Sequence, residues 1–290
     1  MKVLVTGATG FLGSRAAGLF EQKGHDVFRL ARPGGAERLG VSADIRRDAG
    51  DPATRELIAG CDAVLHFAGV PDPARARDDP ARAVRENAGT TLNLLEGCLE
   101  HGAGLVYPST VRAALDPPPD PYAHSKRLGE ETCRLHLAPT LVARLTSVYG
   151  PGQVAWEGAT GAIASFAARA LGAEPIVIVG DPGRSRDFVY VDDALAAIEA
   201  LVAKGRWNET VLIASGRSTP LRTAAELVRD AAGSSSPIET PGGELPAGEN
   251  ETYQAAPEAP LPLNLSLEEG IRRYVDWLKK HAAPEVRSRA

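Results

Sequence analysis

The opening stretch of the chain, residues 2–13, constrains the fold more than any other segment. It begins with an apolar run rich in β-branched residues, which is typical of a buried strand. Gly7, Gly10 and Gly13 follow, and a helical pattern of apolar residues starts at Phe11. Because the first turn of a helix carries unpaired N–H groups and the positive end of the helix dipole, it attracts phosphate. The spacing therefore predicts a strand, turn and helix that bind a dinucleotide, the alternative being a tight turn without a ligand.

The size and charge of the chain exclude several classes of protein. Its 290 residues allow one large domain or two closely joined ones. The formal net charge of −5 argues against a nucleic-acid-binding surface, which needs a basic face. No apolar run approaches the length of a bilayer span, and a strand at the N-terminus leaves no room for a signal peptide. We therefore expect a cytoplasmic protein that binds neither nucleic acid nor membrane.

The cysteines give no sign of a metal site or a disulfide framework. Cys61, Cys98 and Cys133 are an odd and scattered set, which fits neither paired disulfides nor the spacing of zinc ligands. We expect reduced thiols and no bound metal.

The end of the second predicted strand bears on the choice of cofactor. That strand ends at Ala31 and is followed by Arg32. In a dinucleotide fold this end meets the adenosine ribose, where a carboxylate selects NAD and an arginine accommodates the 2′-phosphate of NADP. The sequence therefore favours NADP over NAD, although Arg32 also fits an ordinary loop arginine. Asp44, beside Ile45 in a short predicted strand, is a candidate acceptor for the adenine amino group or a cap for the helix predicted at residues 52–58.

The next two predicted strands also end near the expected cofactor. The third runs into the loop of residues 67–69, where small residues let a cofactor lie across the strand ends. The fourth ends at Thr110, at the carboxyl edge of the sheet where ligands bind in such folds. Between them we predict a flexible crossover over residues 70–82 and a helix from about Ala81 to His101. The apolar line of that helix consists of Leu92, Leu95 and Leu99.

Residues 121–130 carry the pattern that most directly indicates chemistry. Pro121 suits the start of a helix, on which Tyr122 and Lys126 lie four residues apart and project from one face. An ammonium near a phenol favours the phenolate and lowers the phenol pKa from about 10. Such a phenol can move a proton to or from an alcohol or sugar oxygen. Since Thr110 could hydrogen-bond the same oxygen, we predict Thr110, Tyr122 and Lys126 as the catalytic residues.

An ordered series of motifs runs across most of the chain. Its members are residues 6–13, residues 66–69, Asn87 with residues 92–96, and residues 109–110, 121–126, 143–144, 147–152, 186–193 and 267–270. In this series the sequence resembles the extended short-chain dehydrogenase/reductase family, the NAD(P)-dependent epimerases and dehydratases of nucleotide-activated sugars. The resemblance implies an α/β fold, with a Rossmann-type doubly wound parallel sheet and a smaller C-terminal substrate-binding domain.

The resemblance also implies roles for the matching residues. Tyr122 would be the acid/base, Lys126 would bind the nicotinamide ribose and tune Tyr122, and Thr110 would orient the reacting oxygen. The cofactor would be NADP or NAD. Its binding residues would be Gly7, Thr9, Gly10, Phe11, Leu12, Gly13, Arg32, Asp44, Ile45, Phe67, Ala68, Gly69, Asn87, Tyr122 and Lys126.

Thr110 and two further residues would bind the substrate. Arg186 matches the family arginine that meets the substrate's diphosphate, a use suited to its forked donors. The alternative for Arg186 is an ion pair with Asp187 or Asp192. Ser147 stands where relatives have an asparagine, which leaves the nucleotide-sugar assignment open.

Other departures from the family pattern bear on the reaction. After Thr110 the chain reads Val111-Arg112, where 4,6-dehydratases carry an Asp-Glu pair for water elimination, and this argues against dehydration. The segment between Thr110 and Tyr122 is short and rich in proline. Residues 254–260 lack the family's usual lysine and tryptophan, and a second phosphate-binding arginine is not visible in that region.

We predict a dinucleotide-binding domain of residues 1–146 and 187–214, a substrate-binding cap of residues 147–186 and 215–282, and a tail at 283–290. The favoured function is epimerisation of a nucleotide-activated sugar by transient hydride transfer at C4. An NADPH-dependent 4-ketoreductase of a nucleotide-linked 4-keto sugar stays open. So does a non-catalytic protein that senses NADP(H). A homodimer with a small-molecule substrate is expected.

Overall fold

The structure is a computed structural model, and it describes residues 1–34, 42–154, 161–246, 248, 252 and 265–281. Residues 254–260 and 283–290, where the sequence predicts an altered family motif and a tail, lie outside the described residues. The described residues fall into two compact units. The first consists of Met1–Leu145 and Leu195–Ile213, and the second of Thr146–Ala194 and the chain from Ala214 onward. The chain thus returns to the first unit later than the predicted residue 187.

Strands and helices alternate along most of the described chain. The strands are β1 (Lys2–Thr6), β2 (Asp26–Ala31), β3 (Ile45–Arg46), β4 (Ala63–His66), β5 (Gly104–Thr110), β6 (Thr140–Leu145), β7 (Ser147–Tyr149), β8 (Ile176–Val179), β9 (Ser185–Tyr190), β10 (Glu209–Ile213), β11 (Ser218–Pro220) and β12 (Ile238–Gly242). The helices are α1 (Phe11–Gln22), α2 (Pro73–Asp78), α3 (Pro80–Val84), α4 (Thr90–His101), α5 (Pro121–Leu135), α6 (Ala162–Leu171), α7 (Val191–Ala203), α8 (Leu221–Ala232) and α9 (Leu267–His281).

The first unit is built on a sheet of seven described strands in the order β10-β6-β5-β4-β1-β2-β3. Every neighbouring pair in it is parallel. All residues of β4 and β5 are buried, which is expected when helices cover both faces of a parallel sheet. The Rossmann-type fold that the motifs imply is confirmed.

The strand order reverses direction beside β1, and this reversal locates the ligand crevice. From β1 the chain builds outward through β2 and β3, and then returns to place β4 on the other side of β1. Thr6 at the end of β1 is the register partner of His66 at the end of β4. In open α/β sheets ligands bind outside the carboxyl ends of the strands at such a switch point.

The second unit has a core of its own. Its described strands form the sheets β11-β9-β7 and β12-β8, and α6, α8 and α9 pack with them. Tyr149 lies at the centre of an aromatic cluster, with ring centroids 5.7 Å from Tyr190, 6.3 Å from Phe188 and 6.4 Å from Tyr274. None of the described helices combines the length and apolar character that a membrane crossing requires.

The helix predicted over residues 81–101 is interrupted. A π-helical turn at Arg85–Gly89 separates α3 from α4, and the predicted crossover before them contains α2. Leu95 is fully buried, but Leu92 and Leu99 are 44% and 48% exposed. The predicted apolar line is therefore wrong in its phase, because α4 turns Leu94, Leu95 and Cys98 toward the sheet instead.

The capping role considered for Asp44 is wrong. The short 3-10 helix Pro52–Ile58 is capped by Asp51, whose carboxylate accepts from the Ala53 N–H at 2.9 Å. The carboxylate of Asp44 instead accepts from the Arg29 N–H at 2.8 Å. Asp51 caps the helix because it stands directly before Pro52, in the N-cap position, whereas Asp44 lies eight residues before the helix begins.

Candidate active site

The glycine-rich turn between β1 and α1 has the shape that a pyrophosphate requires. Gly7 has φ +65°, and a Cβ there would lie 2.6 Å from the Ala68 nitrogen. A Cβ on Gly13 would overlap the carbonyl of Gly7, so α1 packs against the turn only because this residue is glycine. Gly10 caps α1 without a side-chain hydrogen bond, and the first turn contains no acidic residue. Its N–H groups therefore suit an anionic ligand, and the residues present fit a dinucleotide.

Buried polar contacts join the ends of β1 and β4. Thr6 Oγ1 accepts from the Ala68 N–H at 3.2 Å and lies 2.9 Å from His66 Nδ1. Burial and the charge of Lys126 lower the pKa of His66 to about 3, so its imidazole is neutral at physiological pH. Since Thr6 accepts from Ala68, its hydroxyl can donate to the neutral His66. His66 is thus a packed strand residue, as its position in a buried strand suggests.

Asn87 fixes the loop after β4. Its Oδ1 accepts from the Val70 N–H at 2.9 Å, and its Nδ2 donates to the Val70 carbonyl at 3.2 Å and to Ser125 Oγ at 2.9 Å. Gly69 has φ +143° and leaves no room for a Cβ beside the Asn87 amide. Asn87 therefore connects the loop of Phe67, Ala68 and Gly69 to α5, and its direct contact with a cofactor stays a prediction.

The predicted adenosine end of the crevice carries two arginines. Arg32 is exposed directly after β2, and Arg46 in β3 is the register partner of Ala31. The carboxylate of Asp44 accepts a backbone hydrogen bond from Arg29, at the side of Ile45. This carboxylate does not stand at the end of β2, where it would select against a 2′-phosphate.

The helix α5 places Lys126 against β5. Lys126 is buried, and its Nζ donates to the Pro108 carbonyl at 2.9 Å and lies 4.9 Å from the centroid of the Tyr107 ring. Burial lowers the pKa of Lys126 to about 8, while the charge of Glu130 opposes that shift. An ammonium has three donors, so the bond to Pro108 leaves others for a ligand.

The charges around Tyr122 differ from the prediction. Burial raises the pKa of the Tyr122 phenol, the charge of Arg112 lowers it, and the charges of Asp120 and Asp72 raise it further. A cation acting on Tyr122 therefore comes from the segment after β5. Sequence reasoning assigned this effect to Lys126, whose contribution to Tyr122 stays a prediction. From the sequence, Arg112 stands out only as the residue at a dehydratase carboxylate position.

Thr110 ends β5 beside a buried polar network. Its Oγ1 accepts from the Arg112 N–H at 3.3 Å. Ser109 donates a hydrogen bond to the Glu130 carboxylate. The same carboxylate accepts hydrogen bonds from Arg144 Nε at 3.0 Å and from Arg144 Nη2 at 2.6 Å. Sequence reasoning gave no role to Glu130 or Arg144. The spacing of Glu130, one helical turn after Lys126, was the available signal.

Of the three predicted substrate residues, Thr110 lies in the first unit, and Ser147 and Arg186 lie in the second. Ser147 and Arg186 are both half-buried, on β7 and β9 respectively, and Arg186 Nη1 donates to the Ser185 carbonyl at 3.0 Å. Asp187, one alternative partner for Arg186, accepts from the N–H groups of Ser215 and Gly216 at 2.8 and 2.7 Å. Among the described residues, no group of three His, Cys, Asp or Glu side chains could hold a metal ion.

Comparison with known proteins gives consistent results. The chain matches the NAD dependent epimerase/dehydratase family over residues 3–214. It is 28% identical to a dTDP-glucose 4,6-dehydratase of Streptomyces antibioticus, covering 98% of this chain and 94% of that protein. Its structure is similar to that of UDP-glucose 4-epimerase from Thermotoga maritima with UDP-glucose, with a TM-score of 0.86, 25% identity and coverage of 98% and 100%. It is also similar to the UDP-glucose 4-epimerase of Thermus thermophilus in complex with NAD, with a TM-score of 0.81, 26% identity and coverage of 98% and 100%.

The parallel sheet, the glycine-rich turn and the Tyr-x-x-x-Lys helix together define a class, the dinucleotide-dependent enzymes of the extended short-chain dehydrogenase/reductase type. Within that class the chain belongs to the NAD dependent epimerase/dehydratase family. The resemblance that the motifs carry is thereby confirmed, and the cofactor is a nicotinamide dinucleotide.

Proposed function

We propose that the protein is an epimerase that acts at C4 of a nucleotide-activated sugar by transient hydride transfer. The observation that carries this proposal is the placement of Tyr122 and Lys126 on α5, which packs against β5, with Thr110 at the carboxyl end of β5. That edge of a doubly wound sheet is where ligands bind. The names of the similar proteins, which include UDP-glucose 4-epimerases, support the substrate class.

Each of the three residues has its own part in the proposed reaction. A nicotinamide dinucleotide, when bound, would supply reversible hydride transfer at C4 of the sugar. Tyr122 takes the hydroxyl proton as the hydride leaves, and gives it back when the hydride returns. Thr110 hydrogen-bonds the same oxygen throughout, and Lys126 binds the nicotinamide ribose. No atom or electron is gained or lost over the cycle.

Dehydration is disfavoured by the residues that follow Thr110. Val111 is apolar, and Arg112 is a buried cation paired with Asp120. Removal of a proton from a sugar carbon needs a general base, and an arginine side chain stays protonated in proteins. The protein is therefore expected to lack the 4,6-dehydratase activity for which one relative is named.

The alternative within enzymes is an NADPH-dependent 4-ketoreductase, which the two arginines at the predicted adenosine end and the short segment before Tyr122 favour. We test the two by incubating the protein with UDP- and dTDP-linked hexoses and 4-keto sugars, with and without NADPH. Interconversion of two sugars without net change in nicotinamide absorbance supports the epimerase. Stoichiometric loss of NADPH with a keto sugar, and no epimerisation, would replace it by the ketoreductase.

The alternative outside enzymes is a protein that senses NADP(H). An enzyme should lose turnover on Tyr122→Phe while cofactor affinity, measured by calorimetry, stays the same. A sensor has no turnover to lose, and its partner binding should instead follow the ratio of NADP to NADPH.

The preferred dinucleotide is proposed to be NADP, because Arg32 follows β2 and Arg46 lies on β3, near the expected position of the adenosine ribose, and no carboxylate stands at the end of β2. Calorimetric titration of both dinucleotides tests this. Arg32→Ala should weaken NADP binding roughly tenfold and leave NAD binding unchanged, as expected for loss of one charge-assisted hydrogen bond. Arg134→Ala, which removes an exposed arginine from α5, is the matched control. Tighter binding of NAD that ignores Arg32→Ala would refute the preference.

Arg186 and Ser147 are proposed to bind the substrate, Arg186 through the diphosphate. Arg186→Lys keeps the charge but loses the forked geometry, and it should raise the KM for the nucleotide sugar with little change in cofactor affinity. A KM that stays unchanged would leave Arg186 as a structural residue of β9.

The homodimer and the cytoplasmic location both stay predictions, and the described residues support the first. Five large apolar side chains are exposed on α4, on α5 and just after α5. They are Leu92 and Leu99 on α4, Leu128 and Leu135 on α5, and Leu137 after α5. Exposed apolar surface of this kind marks interfaces, and a two-fold dimer buries the same surface of both copies. Leu128→Glu should shift the sedimentation coefficient from dimer to monomer, whereas Val179→Glu, at another exposed apolar residue, should not. A monomeric unaltered protein would refute the dimer.

A further inference from the structure

Arg112 is in an unusual place for a cation. It lies in the 3-10 helix Val111–Ala114 directly after Thr110, and its side chain is buried. Its guanidinium forms an ion pair with the carboxylate of Asp120, which is also buried. Burial of two charges costs desolvation energy that their attraction does not always repay. The pair therefore calls for an explanation other than stability.

Asp120 has a second bond that leads to Tyr122. Its Oδ1 accepts from the Ala123 N–H at 2.9 Å, which makes Asp120 the N-cap of α5. The other oxygen of the same carboxylate faces Arg112. Tyr122 lies in the first turn of this helix, so one carboxylate links the segment after β5 to the turn that carries the phenol.

We propose that Arg112 is a positioning residue, which acts through Asp120 to fix the first turn of α5 and places a positive charge beside the Tyr122 phenol. The inference rests on the proposed function in so far as Tyr122 is the acid/base. It assigns a role to the residue that stands where dehydratases of the family have a carboxylate.

The electrostatic surroundings of Tyr122 support the proposal. Charged or titratable groups face it from several elements: Arg112 after β5, Asp120 before α5, Asp72 at the start of α2, and Tyr107 on β5. Burial, Asp120 and Asp72 raise the pKa of Tyr122, and the charge of Arg112 lowers it. Arg112 therefore makes the phenolate easier to form in a site that otherwise opposes it.

A purely structural role for the pair explains less. Asn or Ser at position 120 would cap α5 about as well as Asp without any buried charge. An uncharged cap would need no arginine opposite it. The positioning role accounts for the charge of Arg112, which is paired with the cap of the helix that carries Tyr122.

The experiment measures the Tyr122 phenol directly. Trifluorotyrosine is incorporated at position 122, because ring fluorination brings the phenol titration into a pH range where the protein stays folded, and its pKa is read by fluorine NMR. Arg112→Met should raise this pKa by roughly one unit, and Arg112→Lys should restore most of the shift. Asp120→Asn, which keeps the cap and removes the negative charge, should lower it.

The matched control is Arg127→Met. Arg127 lies on α5 and donates from Nε to the Ala113 carbonyl at 2.8 Å, so its loss disturbs the same 3-10 helix without removing the charge of Arg112. The fluorotyrosine pKa should stay within a few tenths of a unit in this variant. A shift as large as that of Arg112→Met would show that loosening of the segment, and not the charge, is responsible, and would overturn the proposal.

Opposite shifts in the two members of the pair are the decisive result. If Arg112→Met and Asp120→Asn move the pKa in the same direction, or if neither moves it, the proposal is overturned. Should Arg112→Met fail to fold, Arg112→Lys and Asp120→Asn carry the test, and a raised or unchanged pKa in Asp120→Asn refutes it.

Kinetics separate this inference from the proposed function. In a protein active as proposed, Arg112→Met should lower kcat about tenfold near neutral pH, displace the pH profile of kcat upward by about one unit and leave cofactor affinity unchanged. If Tyr122→Phe retains full turnover, the proposed function fails, while the NMR shifts still decide the role of Arg112.

Discussion

The replacement Glu130→Ala tests the network that holds the end of β5 and the middle of α5 together. Glu130 accepts from Arg144 through both of its oxygens and from the hydroxyl of Ser109, which precedes Thr110. The side chain of Glu130 is 8% exposed and that of Arg144 is 29% exposed. Alanine removes the carboxylate and leaves Arg144 and Ser109 without this acceptor.

The expected loss of stability follows from the burial of the two partners. Breaking a buried ion pair by removing one member costs about 3–5 kcal/mol, since a charge stays behind in a poorly solvated place. Arg144 keeps part of its contact with solvent, so the lower end, about 3 kcal/mol, applies. For a unit of this size each kcal/mol lowers Tm by roughly 2–4 °C, which predicts a fall of about 6–12 °C.

The neighbouring residue supplies the control. Glu131 pairs with Arg134 on the surface of the same helix, where the two side chains are 50% and 65% exposed. Glu131→Ala should cost at most about 0.5 kcal/mol, because exposed ion pairs contribute little. The assay is thermal unfolding followed by circular dichroism, with urea unfolding as the second measure. Equal losses in the two variants, or a loss under about 1 kcal/mol for Glu130→Ala, would refute the reasoning.

Three further predictions concern the glycine turn and the buried titratable groups. Gly13→Ala should abolish measurable dinucleotide binding, because the added Cβ overlaps the Gly7 carbonyl, and binding that survives this change would contradict the prediction. The control is Gly18→Ala in the same helix, where the added Cβ meets open space and should stabilise the folded protein by roughly 0.5–1 kcal/mol. Burial lowers the folded-state pKa of His66 to about 3, so between pH 6.5 and 3 the unfolded chain binds a proton that the folded chain does not. Relative to His66→Asn, the protein should therefore lose roughly 4 kcal/mol of stability as the pH falls through that window, and parallel stability curves for the two proteins would contradict this. Burial lowers the folded-state pKa of Lys126 from 10.5 to about 8, so between pH 8 and 10.5 the unfolded chain again binds more protons than the folded chain. The stability of the protein relative to Lys126→Met should therefore rise by roughly 3 kcal/mol from pH 8 to 10.5, and a fall over that range would contradict the prediction.

Local patterns sufficed to predict the parts of the fold that depend on local chemistry. A strand followed by Gly7, Gly10 and Gly13 and then by a helix has few alternatives, because the φ of Gly7 and the close approach at Gly13 both exclude side chains. The fold class and the helix with Tyr122 followed from the same kind of signal, since Pro121 and the cap Asp120 fix where α5 begins.

The face of α4 could not be predicted in this way. Its leucines occupy both sides of the helix, so a count of apolar spacing accepts the line Leu92, Leu95, Leu99 as readily as the buried one. Packing against the sheet determines which face of α4 is buried, and that face carries Leu94, Leu95 and Cys98. The π-helical turn at Arg85–Gly89 interrupts the helix predicted over residues 81–101, and nothing in the local composition indicates it. The strand β12 lies in a segment rich in Ser, Gly and Pro, whose composition does not indicate a strand, and it pairs with β8, which is distant in the sequence.

The electrostatics of the candidate site show the same division between local and distant determinants. The spacing of Tyr122 and Lys126 establishes only that both project from one face of α5. What each side chain meets depends on other segments: β5 offers the Pro108 carbonyl to Lys126, and the 3-10 helix after β5 brings Arg112 to Asp120. A helical spacing thus predicts which residues can cooperate, but the pKa of a phenol is set by every charge around it. Here the charge that lowers the pKa of Tyr122 comes from Arg112, ten residues upstream on a different element, so a substitution at Arg112 should change that pKa although Arg112 lies outside α5.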